Sequence, residues 1–153
     1  MTQRSSKRKD DFRLQNTVRL DADGIAKVLG DLEARVMDVV WEVAQPMSAR
    51  AVHELVAEEH PVAVLTVVTV LNKLVDKRLL GRRKQEGVFH YAATTTRDEF
   101  VSRMSRQMME GILSFAPEML ATSFVDVLAE QDPEQLAELA RLVRLRLRAQ
   151  QKP

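Results

Sequence analysis

The segment from Ala63 to Lys77 constrains the fold more than any other part of the chain, because its positions are apolar except for a narrow strip. On a helix, five of its polar side chains fall within roughly one 100° arc. They are Thr66, Thr69, Lys73, Asp76 and Lys77. The pattern predicts a helix that is buried on most of its circumference. It is either a core helix with a solvated strip, or a helix that enters the DNA major groove with short side chains at its tip and cations near the phosphates.

Two shorter helices are predicted before this segment. The first begins at Asp31, the expected N-cap, and ends before Pro46. The second runs from Ala49 to His60, with Ser48 as its N-cap. Its buried side is expected to include Val52, Leu55 and Val56.

A short basic hairpin follows the third helix. Two strands flank a glycine turn at residues 85–87, and the first strand carries the consecutive cations Arg82, Arg83 and Lys84. Three helices followed by a basic hairpin are typical of a winged helix-turn-helix, in which the hairpin lies along the phosphate backbone. This order favours the groove-binding interpretation. We therefore predict a mostly α protein whose N-terminal winged helix-turn-helix, three helices plus a β-hairpin wing, occupies residues 25–96.

The expected DNA contacts come from three elements. Thr66 and Thr69 are expected to touch base edges, including thymine methyl groups, and Lys73 to reach a base or a phosphate. The cations of the wing are expected to pair with phosphates. Ser48 and Arg50, at the start of the second helix, are expected to do the same.

A C-terminal helical region is predicted over residues 97–150. Its first helix begins after Thr96, its second opens at Pro117, and its third begins with Asp132 as N-cap and Pro133 in the first turn. Three such amphipathic helices form a poor core alone, so we predict that they form a homodimer interface; packing back onto the winged helix stays open. The interface candidates are Phe100, Met104, Met108, Leu120, Phe124, Leu128, Leu136, Leu139 and Val143.

Charge and composition exclude several classes of protein. The net charge is only +1, so binding to a polyanion depends on uneven placement of charge. Residues 1–24 form a polar basic arm that is predicted to be flexible, and it either contacts phosphates or only solubilises the chain. The absence of cysteine excludes disulfides and thiolate chemistry. Without an apolar stretch of ~20 residues or a signal peptide, we expect a cytoplasmic protein with no membrane insertion.

No catalytic or metal-binding pattern is present in the sequence. His53-Glu54 begins like a zinc-protease motif, but Ala57 occupies the position where the second histidine is required. There is no glycine-rich phosphate loop and no nucleophile elbow. We therefore expect no enzyme activity, no metal and no cofactor.

Four spaced segments resemble the penicillinase and methicillin-resistance repressors, the BlaI/MecI group of winged-helix transcriptional regulators. They are residues 29–41 (Leu-Gly-Asp-Leu-Glu, then Val-Met and Val-Trp), 52–55, 66–77 and 90–91. The resemblance covers about residues 29–128, with a looser fit in the last helix. It implies a homodimeric repressor that binds a palindromic double-stranded operator and controls drug resistance or related stress genes, often together with a membrane zinc-protease sensor.

The resemblance also implies how repression ends. Family members are cleaved in the dimerisation region before a Phe that matches Phe124, and Ser123 stands where Asn is usual. Val64 and Leu65 replace a frequent aromatic and hydroxyl pair, so a shared operator sequence is not implied. Two alternatives stay open, a winged-helix repressor released by a small-molecule ligand and a winged-helix protein–protein adaptor. The operator, the regulated genes and the inducing signal are not given by the sequence.

Overall fold

The computed structural model describes Arg19 and residues 24–152. Apart from Arg19 and Gly24, the predicted basic arm lies outside the described residues. Contacts divide the chain into two compact units, residues 1–104 and 105–153, which we call the first and the second unit. The described residues are mostly helical and include a winged helix-turn-helix, which confirms the predicted fold class.

The first unit contains the elements of the winged helix in the predicted order. Its helices are a 3-10 turn at Gly24–Lys27, α1 (Asp31–Val43), α2 (Ala49–Glu59) and α3 (Val64–Asp76). Its strands are β1 (Met47–Ser48), β2 (Leu80–Gln85) and β3 (Val88–Ala93), in the antiparallel order β1-β3-β2. Sequence patterns did not predict β1, because two residues are too few for an alternating pattern. β2 and β3 form the wing.

Capping residues explain where the first helices begin and end. Gly30, not Asp31 as predicted, is the N-cap of α1, and its backbone N–H donates to the Glu33 carboxylate at 3.2 Å. α1 ends at Val43, and its C-cap Ala44 has a φ of 54°, which lies in the left-handed region. The prediction for α2 is confirmed, since the Ser48 hydroxyl oxygen accepts a hydrogen bond from the Ala51 backbone N–H at 3.2 Å.

One apolar core holds the first unit together. Its completely buried side chains come from all three helices and from the segments around the wing; they include Val36, Met37, Val52, Val67, Leu71, Leu74, Leu79 and Phe100. The Glu33–Lys77 ion pair adds a link from α1 to the end of α3, with 2.6 Å between the Lys77 Nζ and the carboxylate. Leu55 was predicted to be buried but is 37% exposed, because the buried side of α2 is centred on Val52 and Val56 and Leu55 lies at its edge.

Three long helices complete the described chain. They are α4 (Arg97–Phe115), α5 (Pro117–Gln131) and α6 (Pro133–Gln150). The predicted starts are confirmed: Pro117 and Pro133 lie in the first turns, and the Asp132 carboxylate accepts a hydrogen bond from the Gln135 backbone N–H at 3.1 Å. None of these helices is both long and apolar enough to cross a bilayer, a statement that covers the described residues alone.

Candidate nucleic-acid interface

α3 presents one exposed arc of side chains, and its opposite face is sealed in the core. Thr66, Thr69 and Lys73 are exposed, as predicted from the helical period, whereas Val67 and Leu71 are completely buried. The polar arc is therefore accessible to a partner along the helix from its first turn to its last.

An exposed apolar side chain lies at the edge of this arc. Leu65 is 76% exposed and its neighbour Val64 is 45% exposed. The physical reason is angular, because Leu65 lies only about 40° from Thr69 on the helix and so shares its outward direction.

The Thr69 hydroxyl is already engaged within α3. Its Oγ1 donates to the Leu65 carbonyl oxygen at 3.0 Å, the bond that Thr commonly makes to the carbonyl one turn earlier. With its hydrogen used in this way, Thr69 offers a base edge an acceptor oxygen and a methyl group.

The three wing cations are not equivalent. Arg82 pairs with Tyr91 and Lys84 with Phe89, so both cations lie on one face of the hairpin, while Arg83 lies on the other. The Arg82 guanidinium stacks 4.3 Å from the centre of the Phe89 ring, and the Lys84 Nζ lies 5.7 Å from it. The three consecutive cations therefore lie on two faces of the wing, with Arg82 and Lys84 on one and Arg83 on the other.

Asn72 joins α3 to the wing. Its Oδ1 accepts hydrogen bonds from the Arg82 Nη1 at 3.0 Å and from the Tyr91 hydroxyl at 3.2 Å. The sequence analysis did not single out this residue. The signal that was available is an amide on α3 outside the polar arc, since a partly buried amide needs partners. We call Asn72, Arg82 and Tyr91 the wing junction.

The start of α2 contributes two further predicted contacts. Arg50 is exposed, and its Nε donates to the Glu54 carboxylate at 3.3 Å. Ser48 is half-buried and uses its oxygen as the N-cap, so only its hydroxyl hydrogen is left for a phosphate. The first turn of α2 contains no acidic residue, which suits an anion at a helix N-terminus.

The second unit has its own candidate surface, which is apolar. None of residues 105–152 is buried. Phe115 is 89% exposed and Met119 is 72% exposed. Seven of the predicted interface residues lie in this unit and are half-buried or exposed: Met108, Leu120, Phe124, Leu128, Leu136, Leu139 and Val143.

Phe100 must be removed from the predicted interface. Its side chain is completely buried, and its ring centre lies 5.4 Å from that of Trp41. Trp41 is held in place by a hydrogen bond from its Nε1 to the Thr95 carbonyl oxygen, at 2.9 Å. Met104 packs, partly buried, against the same core. The apolar strip of α4 therefore begins as part of the first unit's core, which its periodicity could not reveal.

The charged groups with altered acidity are few. Hydrogen bonds from the Thr95 hydroxyl, at 2.7 Å, and from the Thr96 backbone N–H lower the pKa of Glu99 at the start of α4. A hydrogen bond from Arg141 lowers the pKa of Glu138 on α6. Neither group belongs to the exposed arc of α3 or to the wing, so these carboxylates stabilise helices rather than shape the candidate interface.

Comparison with known proteins identifies relatives of this chain. The sequence model described as "Penicillinase repressor" matches residues 29–144. Two curated relatives, the transcriptional regulator BlaI from two strains of Mycobacterium tuberculosis, are each 39% identical over 74 residues. The match covers 48% of this chain and 54% of theirs, so the chain spans about half the length of the curated relatives it matches.

Solved structures give weaker similarities. The solution structure of the DNA binding domain of the repressor BlaI is 24% identical, with 50% of this chain and 90% of that chain covered at a TM-score of 0.41. The crystal structure of ZitR from Lactococcus lactis, a zinc-responsive MarR family member, is 15% identical, with 80% and 86% covered at a TM-score of 0.38.

Proposed function

The chain belongs to the penicillinase repressor family, and from this premise we propose that it represses transcription by binding a specific double-stranded operator as a homodimer. The observation that carries the proposal is the exposed arc of α3 beside a wing with three cations. Drug-resistance or related stress genes are the targets that the family resemblance suggests.

In this proposal α3 occupies the major groove. Thr66 and Thr69 touch base edges, and Lys73 reaches a base or a phosphate. Arg83 and Lys84 contact phosphates, and Arg82 contacts them from the wing junction. The start of α2, with Ser48 and Arg50, adds phosphate contacts that position the protein without selecting a sequence.

A second copy of the chain covers the apolar side chains of the second unit. Exposed apolar surface of this extent is unusual for a monomer and typical of an interface. A two-fold dimer presents two copies of α3, so we expect a palindromic operator with half-sites about one or two helical turns apart. Linking the two copies raises the effective concentration of the second for its half-site.

Repression ends, in this proposal, when a partner protease cuts between Ser123 and Phe124. Both residues lie in the middle of α5, so we expect α5 to open locally before the bond enters a protease site. Cleavage there would detach α6 and half of α5 from the rest of the chain, and the dimer interface would be lost with them. A membrane zinc-protease sensor is the partner that the family resemblance suggests.

Release by a small ligand is the second candidate. A cleft of about 420 Å³ lies beside Trp41 and Pro46 and is also lined by Thr94 and Arg97. Its size is within the range of ligand sites. The two candidates differ in one observable: induction that leaves the full-length chain intact favours the ligand, and induction that yields two fragments favours cleavage.

Salt-dependent DNA binding tests the proposed function. The intact chain is expected to bind its selected operator more tightly than random duplex, with an affinity that falls linearly as salt rises on logarithmic axes. Replacing Arg82, Arg83 and Lys84 with Ala should weaken binding to both duplexes and reduce the slope by up to about three units, one per lost phosphate contact. Fluorescence anisotropy over a salt series measures both quantities.

A variant with Arg141, Arg144 and Arg148 changed to Ala is the matched control, because it removes the same charge from the face of α6 opposite its apolar strip. Its slope should equal that of the unaltered chain. If the unaltered chain and the wing variant have equal salt slopes, the wing does not contact the phosphate backbone. No preference for any duplex over random DNA would overturn the proposed function.

A further inference from the structure

We propose that Leu65 makes operator recognition depend on the C5 methyl group of a thymine, at one position in each half-site. This inference rests on the proposed function and deepens it, because it assigns a base-specific contact to a residue outside the polar strip of α3.

The exposure of Leu65 is the first observation. At 76% exposed, Leu65 far exceeds the next large apolar side chain among the described residues of the first unit, Val88 at 50%. A side chain so exposed adds little to the core, which is formed by the opposite face of α3. Within the free protein Leu65 therefore presents apolar surface to water at a cost that a bound partner would remove.

The position of Leu65 is the second observation. It lies in the first turn of α3 and shares the outward arc with Thr66 and Thr69. In helix-turn-helix proteins the N-terminal residues of the recognition helix contact base edges. The geometry therefore places an apolar side chain at the point of closest approach to the bases.

The chemistry of the neighbouring residues is the third observation. Residues 64–71 contain no Arg, Lys, Asn or Gln, so the bidentate contacts that identify guanine or adenine are not available at this end of α3. The hydroxyl hydrogen of Thr69 is used by the Leu65 carbonyl oxygen. Among the groups that the four bases present in the major groove, the thymine methyl is the apolar one. The thymine methyl is therefore the group with which the Leu65 side chain can make an apolar contact.

Replacement of thymine by deoxyuridine tests the inference, because it removes the methyl group and leaves the base pairing unchanged. Operator duplexes are first selected from a random pool with the full-length chain, and each thymine is then replaced in turn. At one position per half-site we expect about fourfold weaker binding, and about fifteenfold when both half-sites are altered, from the burial of one carbon per contact.

The variant Leu65→Ala completes the test. It should bind the thymine operator as weakly as the unaltered chain binds the deoxyuridine operator, and it should not distinguish the two duplexes. Leu55→Ala, the same truncation on α2, should keep the full discrimination. Because Leu65 is outside the core, the variant should also keep the unfolding temperature of the unaltered chain.

Two failures are distinguishable. If no operator is selected from the pool, the proposed function fails. If an operator is selected but deoxyuridine has no effect at any position, or has the same effect on Leu65→Ala as on the unaltered chain, the inference about Leu65 is wrong while sequence-specific binding stands.

Discussion

The two units solve the problem of burying apolar side chains in opposite ways. The first unit buries large side chains completely within its own core, and the second buries none of its described residues. Two phenylalanines make the difference concrete. Phe100 is 0% exposed and Phe124 is 40% exposed, although both lie on the apolar strip of an amphipathic helix. The periodicity of a helix indicates which face is apolar, and the surrounding fold decides what covers it.

This difference predicts that the same type of substitution has different consequences in the two units. A change in the first unit should reduce the stability of a fold that is already complete. A change in the second should reduce the association of two copies and leave each winged helix folded. The first two predictions below test this contrast, and the third tests a charged contact at the start of α4; they run from the largest expected effect to the smallest.

Phe100→Ala should have the largest effect. It leaves a cavity against Trp41 in the core, which typically costs about 3–5 kcal/mol of unfolding free energy. Because Trp41 is the one tryptophan of the chain, its fluorescence reports denaturant unfolding at the altered site. Phe100→Leu, which keeps most of the volume, should recover much of the loss. If Phe100→Ala unfolds at the same denaturant concentration as the unaltered chain, the first unit is not held together as described.

Phe124→Asp should act on association instead. If Phe124 lies in the dimer interface, the substitution buries an unpaired charge there, at a cost of several kcal/mol in dimerisation. Sedimentation should show monomers at concentrations where the unaltered chain is dimeric, and operator affinity should fall steeply. The Trp41 unfolding transition should stay unchanged, in contrast to Phe100→Ala.

Phe124→Leu is the control for this experiment and should remain dimeric. A Phe124→Asp variant that stays dimeric, folded and operator-competent would place the interface elsewhere and remove the physical basis of the proposed cleavage switch.

Glu99→Gln should have the smallest effect, at the start of α4. The hydrogen bond from the Thr95 hydroxyl and that from the Thr96 backbone N–H lower the pKa of Glu99 below its ordinary 4.5. A lowered pKa means that the charged form stabilises the folded state above pH 4.5, and that this stabilisation is lost as the pH falls through the folded pKa. The difference in unfolding temperature between Glu99→Gln and the unaltered chain should therefore be small at pH 7 and vanish at low pH. A difference that persists at low pH would show that the charge is not its cause.

Local chemistry explains what the sequence predicted well. Ser48 and Asp132 are good N-caps, Pro117 is suited to the first turn of a helix, and a glycine turn between two short strands produces a hairpin. These features depend on a few neighbouring residues. They gave the order of the elements and, through it, the exposed polar arc of α3.

Tertiary context explains what the sequence did not predict. β1 forms because Met47 and Ser48 meet β3, more than forty residues later in the chain. Phe100 joins the core because Trp41 provides a place for it. Asn72 finds its partners on the wing. None of these outcomes is encoded in a local pattern.

The wing junction has a consequence for DNA shape. Asn72 accepts hydrogen bonds from Arg82 and Tyr91 at the same oxygen, so one amide links the helix that we propose meets the bases to the wing that we propose meets the backbone. This link fixes the distance between α3 and the wing. It therefore fixes the distance between base edges and phosphate backbone that the protein binds with the least deformation. Operators whose groove width before binding already matches this distance should bind more tightly than stiff sequences whose grooves are wider or narrower. This preference should hold even at base pairs that no side chain touches.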